Sequence, residues 1–574
     1  MELMELDPAN TTTLYKSLNA GEIRLARLEP GAARTPITIS LILVNIESCP
    51  VYDALSYVWG DVRKVAPICC DGLSTDVTLN LHQALARVRL PHHSRLIWAD
   101  ALCINQGDPQ ERNRQVGLMA KIYSHARFVL ACFGEAPDGR AEEVASLLNE
   151  YGPLLSQSHV ADVLLPRPGE DLRRWIALSF VMTSSWFERA WVLQEVGLAK
   201  DPRVLYGPEE FRYRDLMVTV AWVRTGATEL AFHIGLGAYL IHTNWIDWSH
   251  KWLENSLHRD YKLVDLLDHG ALLDCQDPRD RIFAFLSHPL AKNIERLAPD
   301  YTKSKLEIYQ ETTVFLLKDA GVRVFSSVEH TVQTLCDGYP SWVIRWDTSL
   351  SMNNIYAHPA TDFRAHGETT SSALVESNIL HVKGIVVDSV ETVFEMGVSS
   401  NSTNVFFREM PSGTYYYLAD LVRKLQCSQQ YAYSYPLVTT LARILCCDRG
   451  SLDSESPWNK WASQYQSQQS LQSSSHWSEP FYHWIRKRGN FQGRALVITK
   501  KGFYGLGPQV TKRGDLCCVV YGSAVPFVLR PVEATTGQMI VQLLGEVYVD
   551  GIMNGEAVTM RNEGTLREQV FAVV

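Results

Sequence analysis

Residues 95–134, RLIWADALCINQGDPQERNRQVGLMAKIYSHARFVLACFG, decide the fold. The apolar run at 96–99 is too short for a helix and rich in residues that favour β-structure, so it predicts a buried strand. Asp108 as an N-cap, Pro109 at the first helical position and Glu111 at the third predict that a helix begins here. A second apolar run after this helix predicts the next strand. Such a strand–helix–strand crossover indicates a parallel sheet.

Several polar and turn residues fall where the predicted strands end. Ligands of open parallel sheets bind beyond the carboxyl ends of the strands. Asp100 follows the first strand of the crossover, and Asn105 and Gln106 lie in the loop that comes next. The stretch 52–61, YDALSYVWGD, predicts another strand, which ends at Gly60 in a tight turn that glycine allows. These segments are therefore expected to meet at one rim of the sheet.

At 574 residues the chain is too long for a single hydrophobic core. We predict an α/β domain at residues 20–210, a mostly helical region at 211–370 and a β-rich region at 371–574, where short apolar runs alternate with glycine turns. A stretch rich in serine and glutamine at 450–477 predicts a disordered insertion, because such a composition cannot bury a core.

Composition argues against several classes of protein. The net charge is −9, with 54 basic and 63 acidic residues, whereas a nucleic-acid-binding protein needs clustered positive charge. No apolar run is long enough to span a bilayer, and the N-terminus does not resemble a signal peptide. The twelve cysteines form no Cys-x-x-Cys pair, which favours free thiols in a reducing compartment. We therefore predict a cytoplasmic protein without a membrane span, a metal site or a nucleic-acid partner.

Three motifs give the sequence a family resemblance. In chain order they are YDALSYVWG at 52–60, WADALCINQ at 98–106 and RAWVLQE at 189–195. With these motifs the sequence resembles the fungal heterokaryon-incompatibility (HET) family. The resemblance implies a role in fungal non-self recognition and regulated cell death, with an unidentified recognition protein as a partner.

HET domains are in turn similar to Toll/interleukin-receptor (TIR) domains, some of which cleave NAD⁺ at the nicotinamide–ribose bond. This similarity implies a TIR-like parallel sheet flanked by helices, NAD⁺ as a substrate rather than a resident cofactor, and a homo-oligomer. Trp191 and Glu195 have the Trp-x-x-x-Glu spacing of the TIR element that carries the catalytic glutamate, although Val192 replaces its usual cysteine. The reaction passes through an oxocarbenium-like state, which one carboxylate near the ribose stabilises.

The predicted site of an NAD⁺ glycohydrolase therefore has Glu195 as its catalytic residue. The expected roles of the other residues are hydrogen bonds to hydroxyl groups and stacking on a ring. The predicted substrate-binding residues are Tyr57, Trp59, Gly60, Asp100, Asn105, Gln106 and Trp191.

Each prediction has an alternative. In the structural one, Glu195 pairs with Arg189 or another base and stabilises its helix, and Asp100 accepts hydrogen bonds from the next turn. Cys103 with His82 or His125 as its base would instead make a thiol hydrolase. The functional alternative is a non-catalytic module that signals by self-association or by binding a partner.

Overall fold

The computed structural model describes residues 14–32, 35–137, 139–157, 172–236, 262–291, 297–348, 355, 363–395, 440, 443–445, 447, 493–532 and 539–574. The predicted insertion at 450–477 lies outside these residues. The chain forms two structural units, of which the first comprises Met1–Tyr261 and Leu272–Ser304 and the second Lys262–Ala271 and Lys305–Val574.

The first unit is built on a mixed sheet. Its strands are β1 (Glu22–Leu28), β2 (Thr38–Asn45), β3 (Asp53–Tyr57), β4 (Val65–Cys70), β5 (Leu73–Thr78), β6 (Arg95–Trp98), β7 (Val129–Gly134), β8 (Pro202–Tyr206) and β9 (Glu209–Arg212). Their order in the sheet is β5-β4-β2-β1-β6-β3-β7-β8-β9. The strands β6, β3, β7 and β8 run parallel, as the crossover predicts, whereas β1 pairs antiparallel with both β2 and β6. The predicted α/β class is confirmed, and antiparallel strands extend the parallel part.

The helices lie between and beyond these strands. They are α1 (Leu79–Val88), α2 (Asp100–Cys103), α3 (Pro109–His125), α4 (Arg140–Gln157), α5 (Leu172–Val181), α6 (Val192–Gly197), α7 (Tyr213–Gly226), α8 (Thr228–His233), α9 (Leu263–Gly270, in the second unit) and α10 (Asp280–Phe283, in the first). The α3 start is confirmed, because the Asp108 carboxylate accepts hydrogen bonds from the backbone N–H groups of Gln110 and Glu111. Among the described residues, no helix is long and apolar enough to cross a membrane.

Strand β3 occupies the centre of the parallel part, and all its residues are buried. It lies between β6 and β7, so the residues that follow β3 and β6 emerge side by side. At the opposite end of the strand, the buried Asp53 carboxylate accepts hydrogen bonds from Arg95 (2.7 Å) and Arg127 (2.8 Å). A buried charge needs such partners.

A buried ion pair fastens α3 to β1. The Glu111 carboxylate binds the Arg24 guanidinium (3.0 Å between Oε2 and Nη2) and also accepts a hydrogen bond from the backbone N–H of Asn105 (2.7 Å). Neither charged side chain of the pair is more than 4% exposed. The loop between Asp100 and α3 is therefore held to the sheet at a fixed point.

The second unit is mainly β-structure, as predicted for the C-terminal region. It contains α11 (Lys305–Ala320), β10 (Leu374–Glu376), β11 (Ile379–Glu395), β12 (Arg494–Thr499), β13 (Tyr504–Pro508), β14 (Leu516–Val520), β15 (Phe527–Pro531), β16 (Met539–Glu546), β17 (Tyr548–Val549), α12 (Glu556–Asn562) and β18 (Glu568–Val573). The strand order is β14-β15-β16-β18-β11-β12-β13-β17, and β14 also pairs with β11. That pairing closes five strands into a ring around apolar side chains such as Ile385, Val519 and Leu544.

Candidate functional site

Asp100 lies at the carboxyl end of β6, beside the residues that follow β3. Its carboxylate accepts hydrogen bonds from the Tyr57 hydroxyl (3.0 Å), the Trp59 indole N–H (2.8 Å) and the backbone N–H of Ala101 (2.8 Å). Burial raises the pKa of Asp100, and the nearby Glu195 carboxylate raises it further, while Arg189 acts in the opposite direction. Three of the predicted binding residues are thus in direct contact.

Gly60 gives the loop after β3 its shape. Its φ is +75°, and a Cβ atom there would lie 2.6 Å from the Asn80 side-chain nitrogen. Asn80 in turn donates a hydrogen bond to the carbonyl of Val58 (3.0 Å). The N-cap of α1 is Thr78, because its hydroxyl accepts the hydrogen bond from the backbone N–H of Leu81. Asn80 is therefore free to fix the glycine turn.

A cavity of about 310 Å³ opens beside these loops in the first unit. Its volume is within the lower part of the range of small-molecule sites. Its wall includes the predicted residues Trp59, Gly60, Asp100, Gln106 and Trp191.

The other predicted residues do not form part of this wall. The Tyr57 ring is buried, and its hydroxyl donates a hydrogen bond to the Asp100 carboxylate. The Asn105 side chain accepts a hydrogen bond from the backbone N–H of Gly107 (3.2 Å), which shapes its own turn. Glu195 is 1% exposed and lies behind the cavity.

Glu195 is held in a buried network of hydrogen bonds. Its carboxylate pairs in a bidentate manner with the Arg189 guanidinium, at 2.7 and 2.9 Å. It also accepts a hydrogen bond from the Ser56 hydroxyl, which in turn accepts one from the Trp186 indole N–H (2.8 Å). These are the contacts of the structural alternative, in which Glu195 pairs with Arg189. Arg189, rather than Glu195, lines the cavity.

A second part of the wall comes from residues outside the predicted site. Asp280 accepts hydrogen bonds from the Tyr301 hydroxyl (2.5 Å) and the Trp191 indole N–H (3.2 Å). The Arg112 guanidinium stacks 3.7 Å above the Tyr301 ring. Burial raises the pKa of Asp280 to about 6. The stretch 277–280, DPRD, contains this carboxylate, and by its residue types it indicates only a helix start.

Hydrogen bonds from backbone N–H groups fix this second part of the wall to the rest of the first unit. The Ala190 N–H donates to the Asp274 carbonyl (3.0 Å), and the Asp274 N–H donates to the Glu188 carbonyl. The backbone N–H of Tyr301 donates to the Asn113 side-chain oxygen on α3 (2.8 Å). Residues 274–276, 280 and 301 thus line the cavity, although they are far in sequence from the three motifs.

The thiol-hydrolase alternative has little support from the geometry. Cys103 is fully buried, and burial raises the pKa of its thiol to about 12. His125, one of the two candidate bases, places its Nδ1 2.8 Å from the carbonyl oxygen of Lys121. A protonated, inaccessible thiol is a poor nucleophile.

Two family models match the chain. The model described as "Heterokaryon incompatibility protein (HET)" matches residues 52–195, and the one described as "Het-6 beta-barrel domain" matches residues 451–573. The protein "Heterokaryon incompatibility protein 6, OR allele" of Neurospora crassa is 23% identical, over 93% of this chain and 94% of that protein. The chain contains a HET domain of the heterokaryon-incompatibility family. No solved structure matches it.

The HET match covers one part of the cavity and omits the other. Asp100, Arg189 and Glu195 fall within residues 52–195, whereas Asp280 and Tyr301 fall outside them. Family membership supports a role in fungal non-self recognition. It leaves the chemistry of the cavity to be argued from the residues themselves.

Proposed function

We propose that this protein acts in fungal non-self recognition and regulated cell death as a signalling protein whose HET domain binds a small ligand. Membership of the HET family supports the biological role. The observation that carries the molecular part is that Trp59, Asp100 and Trp191 line one cavity. Aromatic faces beside an oriented carboxylate suit a ligand that has both a ring and hydroxyl groups.

NAD⁺ is the ligand that we propose, on the basis of the TIR-like motif spacing. The carboxylate of Asp100 is held by three donors, so it is already oriented for the hydroxyl groups of a ribose. The indoles of Trp59 and Trp191 offer surfaces for the nicotinamide ring. Binding of NAD⁺ would bias the HET domain toward self-association or toward a recognition partner.

The geometry favours this non-catalytic mode over catalysis by Glu195. The Glu195 carboxylate is neutralised by Arg189, is 1% exposed and is not among the residues that line the cavity. A carboxylate that stabilises an oxocarbenium-like state must lie close to the sugar carbon. Glu195 is therefore best placed to position Arg189.

The position of Asp100 supports a second candidate, cleavage of NAD⁺ in the same cavity. The nicotinamide–ribose bond would break with its electron pair leaving on nicotinamide, and water would add to the ribose carbon and release a proton. Asp100 lines the cavity and would stabilise the positive charge on the ribose in place of Glu195. The products would be nicotinamide and ADP-ribose.

One experiment separates the two modes. Purified full-length protein is incubated with NAD⁺, and binding is measured by calorimetry while free nicotinamide is measured by chromatography. The variants are Asp100→Asn, Glu195→Gln and, as a control, Asp76→Asn at an exposed position on β5. Circular dichroism verifies that each variant is folded.

Each outcome has a definite meaning. Binding without nicotinamide release supports the non-catalytic mode. Release that Asp100→Asn abolishes, and that a folded Glu195→Gln retains, supports cleavage with Asp100 as the catalytic residue. Release that only Glu195→Gln abolishes would restore the glutamate to the catalytic role. Absence of NAD⁺ binding by the unchanged protein would overturn the proposed ligand.

A further inference from the structure

The cavity carries more negative than positive charge. Its wall contains the carboxylates of Asp100, Asp274 and Asp280 and the guanidiniums of Arg112 and Arg189, which gives a formal sum of −1. An anionic group of a ligand would therefore be repelled at this wall, whereas a cationic group, such as the nicotinamide ring of NAD⁺, would be attracted.

Neither arginine of the wall is free to attract an anion. Arg189 is neutralised by the bidentate pair with Glu195. Arg112 lies 3.5 Å from a carboxylate oxygen of Asp277 and 3.9 Å from one of Asp280. Glu195 and Asp277 are not part of the wall, so they compensate the charges of the two arginines without contacting a ligand.

Asp280 is hydrogen-bonded to two of the three aromatic side chains of the described wall. The Trp191 indole and the Tyr301 hydroxyl each donate a hydrogen bond to the Asp280 carboxylate. The face of Tyr301 is already covered by the Arg112 guanidinium. The indoles of Trp59 and Trp191 are the remaining aromatic surfaces of the described wall, and tryptophan is the strongest partner for a cation.

The burial of the Asp280 carboxylate also favours a cationic ligand. Asp280 is 6% exposed, and its loss of hydration raises its pKa, although the Tyr301, Trp191 and Arg112 contacts oppose this. A buried carboxylate of this kind is stabilised by a further positive charge nearby. A ligand that brings a cation replaces part of the lost hydration.

We propose that the cavity selects an aromatic cation, and that Asp280 is the specificity-determining carboxylate beside the indoles of Trp59 and Trp191. This inference rests on the proposed ligand-binding function of the HET domain and names the chemical class of its ligand. It assigns a recognition role to a residue that lies outside the segment matched by the HET family model.

The test uses two probes of the same shape. In 1-methylnicotinamide the ring carries a positive charge at the methylated nitrogen, and in 3-methylbenzamide a carbon replaces that nitrogen. Calorimetry with the full-length protein at pH 7 is expected to give about tenfold tighter binding of the cation, the size expected from a desolvated cation–π contact and a nearby carboxylate. The Asp280→Asn variant should reduce this ratio to about threefold or less.

The failures of the two proposals are distinguishable. If both probes bind the unchanged protein equally well, the cation preference is overturned and the ligand-binding function stands. If NAD⁺ binds and neither probe does, the cation inference is likewise overturned. If neither NAD⁺ nor the probes bind, the proposed function fails and this inference fails with it. The Asp76→Asn control should keep the wild-type ratio, and an equal loss in that variant would contradict a specific role of Asp280.

Discussion

Replacing Glu195 with glutamine should destabilise the first unit by about 3–5 kcal/mol, because it leaves a buried guanidinium without its counter-charge. Glu195 and Arg189 have side chains that are 1% and 15% exposed, and two hydrogen bonds at 2.7 and 2.9 Å join them. Glutamine has nearly the same size, so no cavity contributes to the effect. The limited access of water to Arg189 favours the lower end of the range, about 3 kcal/mol, which is a change of roughly 100-fold in the folding equilibrium.

Urea unfolding of the full-length protein measures this loss. Because the two units need not unfold together, hydrogen exchange of peptides from β3 and α6 assigns the affected transition to the first unit. Glu47→Gln is the matched control, since Glu47 forms an exposed pair with Lys121 and its loss should hardly move the midpoint. A double variant, Arg189→Met with Glu195→Gln, removes the stranded charge and should be more stable than the single variant. A Glu195→Gln protein as stable as the Glu47→Gln control would refute the argument.

Three further predictions concern the rest of the first unit. Gly60→Ala should lower the free energy of unfolding by about 1–3 kcal/mol and weaken ligand binding, because the new Cβ meets both a positive φ and the Asn80 side chain. Gly72→Ala is the control for φ alone, because φ there is +81° and nothing lies within 4 Å of the Cβ position. Equal losses in urea unfolding would contradict the steric part of this argument. The pKa of Asp280 is raised from 3.8 to about 6, so the unfolded chain gives up this proton at a lower pH than the folded protein. The free energy of unfolding of the wild type should therefore fall by up to about 3 kcal/mol, relative to that of Asp280→Asn, as the pH rises from about 4 to about 7. Urea titrations of both proteins across that range measure the difference, and pH profiles that run parallel would rule out the assigned shift. Asp108→Ala should cost about 1 kcal/mol by removing the α3 cap, whereas an unchanged midpoint would mean that the backbone N–H groups find other partners.

The local part of the fold could be predicted from the sequence because its signals are local. The start of α3 is determined by Asp108 and Pro109, which act on backbone groups within one turn. The run at 96–99 is short and apolar because β6 is buried in the middle of the sheet. Asp100 could be placed at the rim because parallel strands end at one edge.

The part of the site that could not be predicted depends on tertiary partners. The spacing of Trp191 and Glu195 is intact, yet spacing does not reveal whether a carboxylate faces a cavity or an arginine six residues earlier. Asp280 joins Trp191 across 89 residues, and no local pattern indicates which aromatic ring will meet which carboxylate. Asn80 and Thr78 are both good helix caps by residue type. Asn80 instead donates a hydrogen bond to the carbonyl of Val58, and Thr78 caps the helix.

The path of the chain has a consequence for the design of truncated forms of this protein. The polypeptide leaves the first unit at Tyr261, contributes Lys262–Ala271 to the second, returns with Leu272–Ser304 and then departs for good. No single cut can release either unit intact, and a shortened protein that ends after β9 would lack Asp280 and Tyr301 altogether. A fragment that contains the HET segment alone would therefore have an incomplete cavity wall, and its lack of activity would not show that the full-length protein is inactive.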